Sequence, residues 1–364
     1  MTTMLPADIA SAFCTRIREA TQTGQPLRLR GGGTKDWYGG EPAGEVLDTR
    51  AHTGVVAYEP TELVITARCG TPLAEIEALL ESHNQMLAFE PPRFGAGSTI
   101  GGVVAAALSG PRRATAGAVR DFVLGAVLID GSGEALRFGG QVMKNVAGYD
   151  VSRLLAGSLG TLGLILEVSL KVLPKPVCEA SLRFGMTEIE ALAKLNQWAG
   201  QPLPLSASCW HDGVLTVRLS GAQAAVEAAR RALGGQPLGD IEAAACWTAL
   251  RDQTDPFFEG QNTLWRLSVP SAASAIIVGG RQLIEWGGAQ RWLRLDADAN
   301  AANVANAAAI RRTVAAAGGH ATLYRAQDKA AGVFHPLAPA VAAIHQRLKA
   351  SFDPAGIFNP GRLY

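Results

Sequence analysis

No two of the five cysteines stand in a CxxC pair: Cys14, Cys69, Cys178, Cys209 and Cys246 are scattered through 364 residues. Such a set excludes a disulfide framework and an iron–sulfur ligand run, and it fits a reducing compartment. The six histidines contain no HxH, HxxH or HExxH, so no metal site is expected. GxxxxGK[ST] is missing as well, which removes the usual P-loop. Charge is scarce, at 18% of residues with a formal net charge of +1, and provides no field to gather nucleic acid or an anionic membrane. No apolar run approaches the ~18 residues of a spanning helix. The opening MTTMLPADIASAFCTRIREA carries Asp8 and no basic start before an apolar core, unlike a signal peptide. The expectation is a cytoplasmic chain that meets a membrane only through partners.

What the chain has in quantity is glycine, 41 residues clustered in the first half, within a composition that is 48% hydrophobic and plainly that of a folded protein. Its length exceeds the ~250 to 300 residues of a single core, so two domains are expected. Pro174 and Pro176 interrupt the pattern after the clearest strand, Leu164 to Val172, whose residues alternate with a period of two. Before it lie an amphipathic helix, a short strand PLRLR, a strand around Ile65 and a helix carrying Leu73, Ile76 and Leu80 on one face. Thr71 reads as the cap of that helix, with Pro72 at its first position. FVLGAVLID and EALRFG flank a turn at Asp130-Gly131-Ser132-Gly133 and read as a hairpin. Beyond Pro176 a β-α-β-β-α unit is followed by a second, looser version, ending near HATLYR. A last helical stripe, Leu337, Val341, Ile344, Leu348 and Phe352, reads as an ordinary packing face, broken by Asp353-Pro354-Ala355-Gly356.

The glycines fall into segments that bring backbone amides close to a large flat anionic ligand, for which a flavin dinucleotide is the best candidate. RGGGTK places Gly31, Gly32 and Gly33 after a strand, with Arg30 and Lys35 able to neutralise a pyrophosphate and Thr34 between them. Taken alone, the motif fits a glycine-rich surface turn equally well. It is not a Rossmann fingerprint, because Asp36 stands where the third glycine would be. GSTIGG, the run Gly97, Ser98, Thr99, Ile100, Gly101 and Gly102, offers two hydroxyls and two small positions before a helix of small residues. A tight strand-to-helix corner is the alternative. TAGAVRD contributes Thr115 and Gly117, with Arg120 and Asp121 as a pair that orders the loop; GTLGLI contributes Gly160, Gly163, Leu164 and Ile165. Lys144, Asn145 and Tyr149 lie between these segments, and His320 and Tyr324 alternate on one strand, each with a structural role as the alternative. The residues give no catalytic group.

The order and separation of RGGGT, GSTIGG, GxxRD and GTLG resemble the FAD-binding domain of the vanillyl-alcohol oxidase and p-cresol methylhydroxylase (PCMH) superfamily. VMKNVAGYDVSRLLAGSLGTLGLI and FDPAGIFNPGRL look most like the smaller FAD-binding subunits of bacterial glycolate oxidases. The resemblance implies an α+β fold: a PCMH-type FAD-binding domain of two α+β subdomains over 1–175, a ferredoxin-like α+β cap domain over 176–325, and a C-terminal segment over 326–364 packing back on the first. It moves Asn359 of the NPG turn towards the flavin. Thr34 stands where some relatives carry a flavin-linking histidine, so FAD is expected to be non-covalent. The resemblance further implies oxidation of glycolate, a small 2-hydroxy acid, in a complex with a larger FAD-binding subunit and an iron–sulfur subunit. A self-sufficient 2-hydroxy-acid dehydrogenase and a non-catalytic relay or assembly subunit stay open beside it.

Overall fold

The computed structural model describes residues 6–140, 150–260, 263–295 and 304–363, so Lys144, Asn145 and Tyr149 lie outside the described residues. Contacts divide the chain into two compact units, one of Met1–Leu108, Ala118–Pro174 and Pro336–Tyr364, the other of Ser109–Gly117 and Lys175–His335.

The first unit opens with α1 (Pro6–Thr23), β1 (Leu27–Arg30) and β2 (Glu45–Asp48), the two strands pairing in parallel. β3 (Val55–Glu59) and β4 (Val64–Arg68) lead to α2 (Leu73–Glu81) and the short β5 (Gln85–Met86). Leu73, Ile76 and Leu80 are the buried face of α2, as their spacing requires. Thr71 does not cap this helix: its hydroxyl donates to the Arg68 carbonyl at 2.7 Å and accepts the Gly54 amide at 2.9 Å. α3 (Ile100–Ala106) follows, then α4 (Arg113–Ala116), which belongs to the second unit, and α5 (Val119–Phe122). Asp121 receives the Ala118 amide at 2.8 Å and so starts α5, whereas Arg120 comes no closer to it than 3.9 Å. The expected hairpin is β6 (Val123–Ile129) and β7 (Ala135–Gly139).

β8 (Leu164–Lys171) is the middle strand of the five-stranded antiparallel order β3-β4-β8-β6-β7, and β9 (Leu173–Pro174) pairs with β5. Its period of two does not divide a buried from a solvated face. Both faces are covered, and Ser169 is accommodated by a 2.8 Å hydroxyl pair with Thr66 of β4. α1 packs Phe13 and Ile17 into a cluster with Leu27, Ile129, Leu164 and Phe358. His52 is buried nearby, its ring edge-on to Phe13, with neither ring nitrogen hydrogen-bonded. Burial, helped by Arg68, depresses its pKa from 6.5 to about 4. The unfolded chain takes up a proton below pH 6.5 that the folded chain refuses. The stabilisation is therefore complete above pH 6.5 and is lost as the pH falls towards 4. It amounts to at most about 3 kcal/mol. Urea midpoints at pH 7 and 4.5 should converge in His52→Leu relative to the parent; an unchanged difference would remove His52 from the acid response.

In the second unit β10 (Cys178–Gly185), α6 (Glu188–Ala199), β11 (Leu205–His211), β12 (Val214–Gly221), α7 (Gln223–Leu233) and β13 (Gln236–Pro237) take the antiparallel order β13-β10-β12-β11. Numbered within the half, that is 4-1-3-2, the ferredoxin-like order. α8 (Asp240–Asp252) lays Trp247 against Ser181 of β10. β14 (Thr263–Ser268), β15 (Arg281–Glu285), β16 (Gln290–Leu295), α9 (Val304–Ala316) and β17 (His320–Arg325) repeat the order from the other end, and β11 pairs with β15 to make one eight-stranded sheet. The second half lacks a helix between β14 and β15. Buried Arg291 instead pins that connection, donating to the Ala273 and Ser274 carbonyls at 2.6 and 2.7 Å.

Two expected boundaries shift. Residues 109–117 leave the first unit because Arg112 pairs with Glu179 at 2.5 Å, Thr115 donates to the Ser206 carbonyl, and Trp286 donates to Gly110. Residues 326–335 stay with the second unit, since Leu323 donates to the Val333 carbonyl and Ala321 to the His335 ring.

α10 (Pro339–Phe352) returns the chain to the first unit. Leu337, Val341 and Ile344 are 46%, 41% and 54% exposed, whereas Leu348 and Phe352 are half-buried and Phe352 meets the Phe138 ring edge-on, so only the end of the apolar stripe packs internally. The turn after it is anchored by Asp353 and by buried Ile357 and Phe358. No helix among the described residues is long and apolar enough to cross a membrane.

Candidate anion-binding cleft

β1 ends at Arg30 and runs straight into Gly31–Gly33, which lie along one wall of a solvent-open cleft within the first unit. Close packing of two segments far apart in sequence explains these glycines. A Cβ on Gly32 would sit 1.5 Å from the Gly97 carbonyl oxygen, and one on Gly31 would sit 2.4 Å from the Thr99 hydroxyl. Gly33 turns the chain at φ +72°, a value glycine adopts freely. RGGGTK and GSTIGG are thus one structural corner. Lys35 ties them again by donating to Ser98 at 3.0 Å.

Thr99 caps α3, its hydroxyl accepting the Gly102 amide. Gly101 is buried against Cys69, where a Cβ would fall 2.7 Å from the cysteine Cβ. Gly102 differs: it lines the cleft, and a Cβ there would meet only the Thr99 hydroxyl, at 3.4 Å. Opposite stands Asn359, which receives the Leu29 amide at 2.8 Å, gives its own amide hydrogen to the Leu27 carbonyl, and donates from its side chain to the Leu159 carbonyl at 2.6 Å. Gly160 is a glycine because of it, since a Cβ would approach the Asn359 side-chain nitrogen to 2.7 Å.

Arg28, Arg30, Lys35 and Arg362 all line the cleft, against one carboxylate, Asp36, which holds Arg28 at 2.5 Å and Arg30 at 2.8 Å. Four cations around one carboxylate favour an anion. Of the expected site residues, Arg30, Gly31, Gly32, Gly33, Thr34, Lys35, Thr99, Gly102 and Asn359 line the cleft together. Gly97, Ser98 and Gly101 stand behind this wall, and Ile100 is core. Leu164 and Ile165 are core residues of β8, and Gly163 abuts the Ile129 carbonyl, so all three support the sheet. Thr115 and Gly117 lie in the second unit, where the Thr115 hydroxyl is engaged by Arg112 and Ser206 carbonyls and Gly117 ends α4 at φ 110°. Sequence reasoning passed over Arg28, Asp36 and Arg362. Arg28 was readable, two positions before Arg30 on the same strand face.

Residues 7–139 match the family model of an FAD binding domain. The glycolate oxidase subunit GlcE of Escherichia coli is 48% identical over 357 residues, 98% of this chain and 98% of that protein. The chain belongs to the GlcE family of glycolate oxidase subunits. The glycolate oxidase subunit GlcD of Bacillus subtilis is 32% identical over 171 residues, 46% of this chain and 36% of its own length. Among solved structures, an alkyldihydroxyacetonephosphate synthase superposes with a TM-score of 0.67 at 15% identity, covering 96% of this chain and 74% of that one, which shows a shared fold. The GlcE-type chain is an α+β protein with the FAD-binding fold of the vanillyl-alcohol oxidase and PCMH superfamily. Its cleft suits the pyrophosphate of that cofactor, with small residues along one wall and an excess of guanidinium and ammonium groups. Among the described residues, no group of three or more His, Cys, Asp or Glu is placed to hold a metal ion.

Proposed function

We propose that this GlcE-type chain holds FAD non-covalently in the cleft and is the FAD-binding subunit of a multi-subunit glycolate oxidase. The observation that carries the reading is the glycine corner: Gly31–Gly33 and Gly102 form a wall whose remaining open position faces a site rich in Arg and Lys. Thr34, on the same wall, cannot form a histidyl–flavin bond. Bound FAD supplies the acceptor for a hydride leaving C2 of a small 2-hydroxy acid. Arg28, Arg30 and Lys35 neutralise the pyrophosphate, and Asn359 fixes the distance between β1 and the turn beside Leu159.

Two partners complete this reading, a larger FAD-binding subunit and an iron–sulfur subunit. The chain offers no cysteine run for a cluster, its E. coli relative is named as a subunit, and Leu337, Val341 and Ile344 are exposed at and just before the start of α10. Any membrane association follows from these partners. The purified chain is expected to be yellow and to release FAD into the supernatant on acid precipitation. Flavin retained in the pellet would refute non-covalent attachment, and a colourless chain that cannot be reconstituted would sink the site. Glycolate-dependent dye reduction is expected to be slow for the lone chain and to appear when both partners are added. Fast reduction by the lone chain would favour a self-sufficient dehydrogenase.

A further inference from the structure

Arg362 was not anticipated from the sequence, yet it ties the end of the chain to the residues that follow the glycine loop. Its Nη1 donates to the Asp36 and Gly40 carbonyls at 2.9 and 2.8 Å, and its Nη2 donates to the Lys35 carbonyl at 3.3 Å. The backbone answers, with the Gly40 amide donating to the Arg362 carbonyl at 3.0 Å. Gly40 is required there because a Cβ would lie 1.9 Å from the Gly361 oxygen. The turn 359–362 therefore clasps residues 35–40 from outside, and the guanidinium fork alone spans three carbonyls.

The charge on this fork is not neutralised by its hydrogen bonds. Arg362 is 9% exposed, its partners are carbonyl oxygens, and burial lowers its pKa. Arg28 on the same cleft opposes this charge, while the Asp36 and Glu41 carboxylates attract it. An anion in the cleft adds a further partner for this charge, and whatever tightens the clasp must then tighten the anion.

We propose that Arg362 is a positioning residue for the cofactor's pyrophosphate, and that docking of the 359–362 turn on the 35–40 loop and binding of FAD are one coupled equilibrium. The proposal rests on the reading of the cleft as the FAD site. Hydrogen–deuterium exchange of peptides carrying the Gly40 and Arg362 amides tests the coupling in the parent chain, with and without saturating FAD. Exchange at both is expected to slow ~10-fold with FAD. In reconstituted apoprotein, Arg362→Gln is expected to weaken FAD binding ~10-fold, and Arg362→Lys to stay close to Arg362→Gln, because an ammonium cannot span three carbonyls. Rescue by lysine would reduce the role to bare charge and overturn the proposal. Equal exchange with and without FAD would overturn it while leaving the cleft as the FAD site. A parent chain that binds no FAD would overturn both.

Discussion

Gly102→Val is expected to remove the flavin and keep the fold. Outside its own helix backbone and chain neighbours, a Cβ at Gly102 would find only the Thr99 hydroxyl, at 3.4 Å, so the protein leaves space there. Valine is no worse than glycine in a helix, so α3 has no reason to unwind. The isopropyl group would instead project into the cleft beside Ala105, Ala106 and the triple-glycine wall. FAD affinity should fall by about 100-fold, or about 2.7 kcal/mol. The melting temperature of the apoprotein should stay within a few degrees of the parent's. Lys171→Val is the control, a half-buried position on β8 outside the cleft lining. Flavin-to-protein ratios of both purified variants decide the matter: equal occupancy would take GSTIGG out of the site. Gly32 could not serve, because a Cβ 1.5 Å from a carbonyl disrupts the corner with or without ligand.

What sequence could and could not give follows from the range of the interactions. Period-two and period-3.6 patterns located β8, α2 and the β6–β7 hairpin, because those patterns are set by immediate neighbours. They could not reveal that β8 is covered on both faces, which depends on β4, β6 and the helices packed over the sheet. Glycine clustering led to the cleft, but the motifs mix two kinds of glycine. Gly102 faces the open cleft, whereas Gly31, Gly32, Gly101, Gly160 and Gly163 are small because Thr99, the Gly97 carbonyl, Cys69, Asn359 and the Ile129 carbonyl stand against them. Nothing local distinguishes the two kinds. Arg362 is the extreme case, its partners lying more than 320 positions away. The second 4-1-3-2 half of the cap was only loosely readable because its first crossover is an irregular connection held by Arg291, and β15 falls between Gly280 and Trp286-Gly287-Gly288.

Asp353→Ala is expected to be the most destabilising single change near the cleft, and to release flavin without touching a cleft residue. The carboxylate is buried, accepts the Ile357 and Phe358 amides at 3.1 and 2.8 Å, and pairs with Lys349. Lys349 also donates to the Thr161 and Phe358 carbonyls, so the pair joins α10, the turn after Ser158 and the chain leading to Asn359. Alanine would leave two buried amides without acceptors and a lysine without its counter-ion, a loss on the order of 3 to 5 kcal/mol. For a unit of this size the melting temperature should fall by roughly 10 °C. Asn359 and Arg362 sit downstream of the same turn, so flavin retention should fall with it. Asp353→Asn keeps an acceptor for one amide and should fall between alanine and the parent in both measurements. Thermal denaturation with flavin release followed in parallel tests the chain of support. An alanine variant that melts with the parent would show that Phe358 and Ile357 seat the turn by packing alone, and one that melts early yet keeps its flavin would break the link between this anchor and the cleft.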